Sequence, residues 1–537
     1  MRDLRSEKRS GHLAIMVGAG PAALYATAKL AEQGHTVLIL NRDIKPGGLA
    51  EYGIYPTKHK MKEGLRKQFR KILAQPTVHY FGNAPVRKKT PLHLADLQGL
   101  QVSAIVVAAG AQGTKWLGLP GEQGPGVYHA KDLVYHYNRL PPFSEQDFPM
   151  GERVAVIGIG NVMVDIAHYL INVRQVKEVI AIARRGPQER AYDDREMRAV
   201  AWNIDREMLQ QELERVRPRL EEHGQEVEAL YRELTKDCTV PPEDGESPTR
   251  LTLRFLSSPK RILRDAQGQV VALEVEETRL VARNGGLSAK GLGEYTQIPV
   301  DTVIFAIGDR VDPDLGLPVS DGGYATNPNR SPQDPETAKY QVYDPETGQP
   351  VEGCFVIGWS RSASEGVVGK ARLDGEKGAA VVNRYLAHRP RSSVREIHAR
   401  IGAIYHRLRQ GQVPVVHKGL WRILEVVEAE EARRTGDPEF KFASNAEMLQ
   451  AIEARLAQYT AARARRLPIP PEAHLLQCMH LYARCFPDGE GLTPEELALR
   501  TGLEREQFPT LLAATEGRGI VEQVRGGKVR WRLKKWS

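Results

Sequence analysis

Cysteine is scarce in this chain and long apolar runs are missing, and each shortage removes a class of protein. Only four cysteines occur in 537 residues, Cys238, Cys354, Cys478 and Cys485. No two have the two-to-four-residue spacing of a zinc or iron-sulfur loop, so no metal site is expected and any redox chemistry must use an organic cofactor. There is no C-x-x-C dithiol either, which argues against a disulfide reductase, and sparse cysteine suits a reducing compartment. No stretch approaches the ~18 to 20 apolar residues of a membrane span. The nearest, Leu13 to Ala28 behind Arg2, Arg5, Lys8 and Arg9, imitates a signal peptide but is broken by Gly18-Ala19-Gly20-Pro21, a strand-turn-helix pattern. A cytoplasmic protein without a membrane partner is expected.

What is present is a large, well-stocked core. Hydrophobic residues make up 41%, aromatics 7% and charged residues 26%, too apolar for global disorder. At ~150 residues per domain the length predicts roughly three to four domains. Lys and Arg (75) exceed Asp and Glu (67), for a net charge of +8, so acidic partners should be attracted, whether nucleic acids, acidic proteins or phosphates.

Leu13-Ala-Ile-Met-Val17 reads as a strand, Pro21 to Gln33 as a helix closed by Gly34, and Thr36 to Leu40 as the next strand. This βαβ opening implies a parallel sheet covered by helices. Further strand runs begin at Ala104, Val154, Val179, Leu251, Val303 and Cys354. The charged stretch from Arg195 to Arg232 reads as an inserted helical hairpin. Residues 320 to 352, punctuated by five prolines, read as a surface loop, and Leu467-Pro-Ile-Pro-Pro471 as the end of a stiff linker.

Two motifs carry chemistry. Gly18-x-Gly20-x-x-Ala23 lies between strand and helix: the first glycine allows a tight turn, the second lets a pyrophosphate approach the backbone, and Ala23 allows close helix-strand packing. Gly158-Ile-Gly160-Asn161-Val162-Met163 repeats the pattern after a second apolar strand. Two such folds without iron-sulfur ligands point to a flavin and a nicotinamide in neighbouring domains. After the strand Val179 to Ile182 come Arg184 and Arg185, where an acidic residue would hold a free ribose 2′-hydroxyl. Two arginines favour a 2′-phosphate and hence NADPH. The first domain has Asn41 at the matching place, which can hydrogen-bond a ribose without charge assistance and suits FAD.

Val17-Gly-Ala-Gly-Pro-Ala-Ala23, Gly47-Gly-Leu49 with Tyr52-Gly-Ile54, Val107-Ala-Ala-Gly-Ala-Gln-Gly113, Leu119-Pro-Gly121, the second glycine motif with Asp165, Arg184-Arg-Gly-Pro187, Gly358-Trp359 and Gly366-Val367 resemble the adrenodoxin reductase type of ferredoxin-NADP reductase. The stretch from Trp421 to Leu449 looks like the end of bacterial members, so the resemblance spans roughly residues 12 to 457. It implies that Gly18, Gly20, Pro21, Ala22, Ala23, Asn41, Gly48 and Leu49 contact FAD. Gly358, Trp359, Gly366 and Val367 would lie at the flavin, Trp359 and Gly366 forming its catalytic surroundings. Gly158, Gly160, Asn161, Val162, Arg184, Arg185 and Glu196 would hold NADPH, and an acidic ferredoxin or similar one-electron carrier would take the electrons. Lys58, Lys60, Lys62, Arg66, Lys67, Arg70 and Lys71 form a candidate docking face. The chain departs from the family at Thr57-Lys58-His59, where Asp-His is usual.

Near the C-terminus, Thr493-Pro-Glu-Glu496 is a capping box, Glu504 to Thr515 a second helix, and Ile520 to Val524 with Val529 to Leu533 a two-stranded wing. This resembles a winged-helix domain with a basic tail. The second helix carries Glu504, Glu506 and an internal Pro509, a poor match to a phosphate-lined groove, so protein docking or dimerisation is favoured over DNA binding.

The expected fold class is therefore α/β: two Rossmann-like three-layer domains of the glutathione reductase-like type and a small winged-helix α+β domain. The expected boundaries are 1–112 with 308–457 for FAD, 113–307 for NADPH with a helical insertion near 195–250, a linker at 458–471, and 472–537 for the tail. The alternatives are a glutamate synthase small subunit-like dehydrogenase component and a flavin- or NADP-sensing DNA-binding regulator.

Overall fold

The computed structural model describes residues 10–242, 245–283, 285–329, 334–362 and 368–466, and parts of 475–533. Its contacts divide the chain into two compact units. One is discontinuous, taking Met1–Ile54, Lys58–Gln112 and Val311–Ser537; the other takes Tyr55–Thr57 and Gly113–Arg310.

The discontinuous unit is built on a seven-stranded sheet in the order Gln341–Asp344, Gln349–Val356, Ala104–Val107, Leu13–Val17, Thr36–Leu40, Val78–Gly82, Val416–His417. The five central strands run parallel and the two edge strands antiparallel. All five residues of Leu13–Val17 are buried, because both faces of a parallel sheet are covered. Ala14 and Met16 pack with helices Pro21–Glu32 and Val368–Ala387 on one face. Leu13, Ile15 and Val17 meet Ile397, Ile401, Ile404 and Leu408 on the other. Those four stand on helix Val394–Gln410 at amphipathic spacing, each worth about 1.5–3 kcal/mol when fully buried. Ser393 opens that helix with a capping box: its Oγ accepts from Glu396 N at 3.2 Å while Glu396 Oε2 accepts from Ser393 N at 2.7 Å.

The second unit carries a fully parallel sheet in the order Arg250–Arg254, Glu178–Ile182, Arg153–Ile157, Thr302–Phe305, Val127–His129. Val154 and Val156 face helices, including Arg206–Glu221 and Val227–Thr235 of the inserted hairpin. Ala155 and Ile157 face a three-stranded antiparallel sheet, Ser257–Arg264, Val270–Arg283 and Gly286–Pro299, through Ile262, Leu273 and Val275. One cover is thus a sheet where the sequence reading placed helices. The strand Gly286–Pro299 is mostly exposed and glycine-rich, so it shows no apolar alternation.

Three expectations need correcting. Residues 320 to 352 are not a surface loop: helix Pro335–Tyr340 and the strand Gln341–Asp344 lie there, with Tyr324, Ala338, Tyr340 and Val342 buried. These elements are too short for periodicity, although Asp334 caps the helix and Pro335 sits at its first position, as such residues favour. The linker at 458–471 is helical as far as Arg466 within Asn445–Arg466, since helix formers run on until the prolines begin. Pro509 is not internal to its helix but the second residue of Phe508–Gly517, where its missing N–H costs nothing.

In the tail the Thr493–Glu496 capping box is present, with Glu496 N donating to Thr493 Oγ1 at 3.2 Å and Thr493 N to Glu496 Oε2 at 2.9 Å. Val521–Val524 and Arg530–Leu533 pair antiparallel over a small core that includes Leu475, Phe508 and Leu512. The turn at Gly526-Gly527, Cys485 and the tail cations Arg525, Lys528, Lys534 and Lys535 lie outside the described residues.

Candidate dinucleotide-binding sites

In the discontinuous unit the first turn has one backbone solution. Gly18 adopts φ +107°, and a Cβ there would stand 2.4 Å from Ala108 O, so no larger residue fits. Gly20 is the N-cap of Pro21–Glu32, and a Cβ on it would meet nothing within 4 Å. The space before the helix N-terminus is therefore open, as an anion requires. Gly47 N donates to Ala19 O at 2.8 Å, and Gly48, at φ +51°, approaches so closely that its Cβ would lie 3.0 Å from Gly20 Cα. Leu49 starts the short helix that follows. Ala23 is fully buried. Gly358, at φ +62°, would press a Cβ to 2.7 Å from Ala22 Cβ.

The structure thus gathers Gly18, Gly20, Pro21, Ala22, Ala23, Gly48, Leu49 and Gly358 at the N-terminus of one helix, a cradle only backbone and small side chains allow. Trp359, half-buried in the turn Gly358–Ser360, stands outside the unit's apolar core. Gly366 and Val367 lie outside the described residues. Asn41 fits its expected role less well, because its Nδ2 donates to Asp43 O, Lys45 O and Tyr80 Oη at 2.8–3.1 Å. The amide hydrogens brace the loop, and a ribose hydroxyl would meet only Oδ1. Sequence reasoning missed Ser360, whose Oγ accepts from Gly110 N at 3.0 Å, and Asp374, which binds Gly358 N. No motif marks either.

Close to Gly47, Glu51 organises a buried charge cluster. Its carboxylate takes Arg66 at 2.6 and 2.7 Å and Lys45 at 2.9 Å, and Lys441 donates to its carbonyl at 2.7 Å. Burial alone would raise the Glu51 carboxyl, but Lys441, Lys45 and Arg66 hold it well below its ordinary range. Lys441 is pushed down to about 8 by burial against the pull of Glu51. The docking face expected on helix His59–Leu73 is corrected here. Lys62 is buried 2.9 Å from Glu439, Arg66 is shared between Glu51 and Glu439, and Arg70 binds Glu63 and Glu425. Helical spacing gathers these cations, but Glu51, Glu63 and the later Glu425 and Glu439 take them up. Lys60, Lys67 and Lys71 stay exposed.

The second unit repeats the first turn. Gly158, at φ +121°, would bring a Cβ to 2.4 Å from Ala306 O, and Gly160 caps helix Asn161–Tyr169, where a Cβ would meet only Ala191 Cβ, at 4.0 Å. Asn161 Oδ1 accepts from Asp193 N at 2.7 Å, tying the segment that carries Glu196 to the helix start. Val162 is 43% exposed on that first turn. Arg184 is exposed and Arg185 half-buried. Their backbone oxygens are held by Thr278 Oγ1 and Leu256 N, while their guanidinium groups have no acidic partner among the described residues. Arg190, a few residues on, is consumed by Asp194 and Glu233.

At the far end of the same sheet, buried His129 accepts from Lys131 N at 3.2 Å; burial, helped by Lys131, pushes it down to about 4. Sequence reading gave no sign of this residue. Among the described residues no group of His, Cys, Asp and Glu could hold a metal ion, and no helix is long and apolar enough to cross a membrane.

Two glycine cradles, each at the carboxyl end of a parallel sheet, define the class: a flavin- and pyridine-nucleotide-dependent oxidoreductase. Residues 13–229 match the family described as "Pyridine nucleotide-disulphide oxidoreductase", although the dithiol that description implies is absent from this sequence. The NADPH-ferredoxin reductase FprA of Mycobacterium tuberculosis is 29% identical over 480 residues, which cover 82% of this chain and 99% of that protein. The mitochondrial NADPH:adrenodoxin oxidoreductase of Bos taurus is 28% identical over 475 residues, 81% and 91% of the two chains. The solved structure of M. tuberculosis FprA in complex with NADPH superposes with a TM-score of 0.66 at 26% identity, covering 82% of this chain and 99% of that one. Over about four-fifths of its length the chain is thus similar to NADPH-ferredoxin and adrenodoxin reductases.

Proposed function

We propose that the protein is an FAD-containing reductase that passes electrons from NADPH to a ferredoxin-type one-electron carrier in the cytoplasm. The observation that carries the reading is the pair of cradles, each with a left-handed glycine under a backbone carbonyl and a glycine N-cap, only the second followed by arginines that have no acidic partner among the described residues. Flavin, when bound, supplies the conversion between two-electron hydride transfer and one-electron transfer. The chain's own residues bind and orient. The N–H groups of Gly20 and Ala22 at the N-terminus of Pro21–Glu32 would receive the FAD pyrophosphate, with Gly18, Pro21 and Gly48 shaping the cradle by their backbone, and Gly358 and Trp359 would border the flavin. Gly158, Gly160, Asn161, Val162 and Glu196 receive the nicotinamide dinucleotide, and Arg184 and Arg185 its 2′-phosphate. No side chain is needed as nucleophile; position and electrostatics suffice. The acidic carrier would meet exposed cations such as Lys60, Lys67 and Lys71, and the C-terminal domain, read as a winged helix, would serve as a protein-docking or dimerisation module.

The test is anaerobic reduction of the purified flavoprotein by NADPH and NADH. Replacing Arg184 and Arg185 by Ala should raise KM for NADPH roughly tenfold to a hundredfold, the worth of a charge-assisted hydrogen bond or two, and leave NADH nearly unchanged. A protein that takes up no FAD, or equal losses for both nucleotides, would contradict the reading.

A further inference from the structure

Resting on that reading of the first cradle, we infer that Asp374 is the positioning residue that fixes the flavin-facing turn Gly358–Ser360 against the pyrophosphate cradle, with Arg361 as its counter-charge. The carboxylate is fully used by three donors. Its Oδ2 accepts the N–H of Gly358, and its Oδ1 accepts from the Arg361 guanidinium and from the Tyr340 hydroxyl, the latter at 3.2 Å. Arg361 lies over the Tyr340 ring, 4.9 Å from its centroid, which fixes the plane of the guanidinium. Arg361 Nε is buried and has no hydrogen-bond partner among the described residues, so one donor of this assembly is still unspent.

Asp374 is itself held in place by its neighbour. A Cβ on Gly375 would stand 2.3 Å from Ala22 O, so the helix Val368–Ala387 touches the first turn of Pro21–Glu32 backbone to backbone. Gly358 presses on the same Ala22. Ala22, Gly358 and Gly375 therefore meet at one point, with Asp374 bonding across it. This one carboxylate therefore ties the turn that would border the flavin ring, Gly358–Ser360, to the helix that touches the cradle proposed for the FAD pyrophosphate. The pair is also electrically balanced: Arg361 and Asp374 cancel, and the turn presents no net charge to the ring.

The balance gives a signed test. Asp374→Asn keeps an oxygen for Gly358 N but leaves Arg361 uncompensated. A cation near a ring that becomes negative on reduction favours the reduced form, so the flavin midpoint potential should rise. Arg361→Met leaves the carboxylate alone and should lower it. Both variants should loosen FAD on the order of tenfold, with melting of the apoprotein close to wild type. A merely structural role would loosen FAD in both without opposite potential shifts. Potentials moving together, or unchanged with wild-type FAD affinity, would overturn the inference. A wild-type protein that binds no FAD would instead overturn the reading on which it rests.

Discussion

At His129, burial sets the charge. The ring is 2% exposed and titrates at about 4, against an ordinary value of about 6.5 in the unfolded chain. It is neutral in the folded state, so between pH 6.5 and 4 the unfolded chain binds the extra proton and stability falls as pH falls through that window. The loss is on the order of 3 kcal/mol, at about 1.4 kcal/mol per pKa unit. Melting curves of wild type and His129→Gln between pH 7 and 4 check this: the variant should lose part of the acid slope, and an identical slope would show that the histidine titrates elsewhere. Single residues differ in how far the sequence discloses them. Gly18 and Gly158 were legible, because a left-handed turn under a carbonyl is a local backbone demand that only glycine meets. His129 and Asp374 were not, because their roles come from partners that the fold brings up from distant parts of the chain.

Among elements, the crossing of Pro21–Glu32 and Val368–Ala387 is the most sharply specified, since Gly375 leaves no room for a methyl group over Ala22. Gly375→Ala should cost about 1–3 kcal/mol through overpacking and weaken FAD retention. Denaturant unfolding with FAD titration measures both, and an unperturbed variant would mean that the helices can part without consequence. The βαβ elements were legible from continuous apolar runs bounded by glycine, and the inserted hairpin from the long charged stretch Arg195 to Arg232, in which helix Arg206–Glu221 buries Leu209, Leu213, Val216 and Leu220. Gly286–Pro299 and Pro335–Tyr340 were not: one is an exposed ribbon without alternation, the other a helix of a turn and a half. The docking face failed for a different reason. Helix His59–Leu73 does collect cations, but a one-dimensional reading cannot see Glu425 and Glu439 arriving to neutralise them.

At the scale of the molecule, the tail groups with the discontinuous unit, yet among the described residues its small core contains none from before Leu475, and the ion pair Arg409–Glu496 is half exposed on the arginine side and so of little worth; we propose that it is separable. Deleting residues 468–537 should leave NADPH-driven dye reduction largely intact; complete loss of activity would make the tail part of the catalytic body. The insertion of one unit within another also has a consequence for synthesis. The strand Ala104–Val107 emerges from the ribosome roughly 240 residues ahead of Gln349–Val356, its neighbour in the finished sheet. At about 5–20 residues per second that bare apolar edge waits on the order of ten seconds to a minute, while the guest unit, whose two larger sheets lie wholly between residues 127 and 305, already has what it needs to close them. The host is thus the nascent chain's window of vulnerability, and chaperones would be recruited there first.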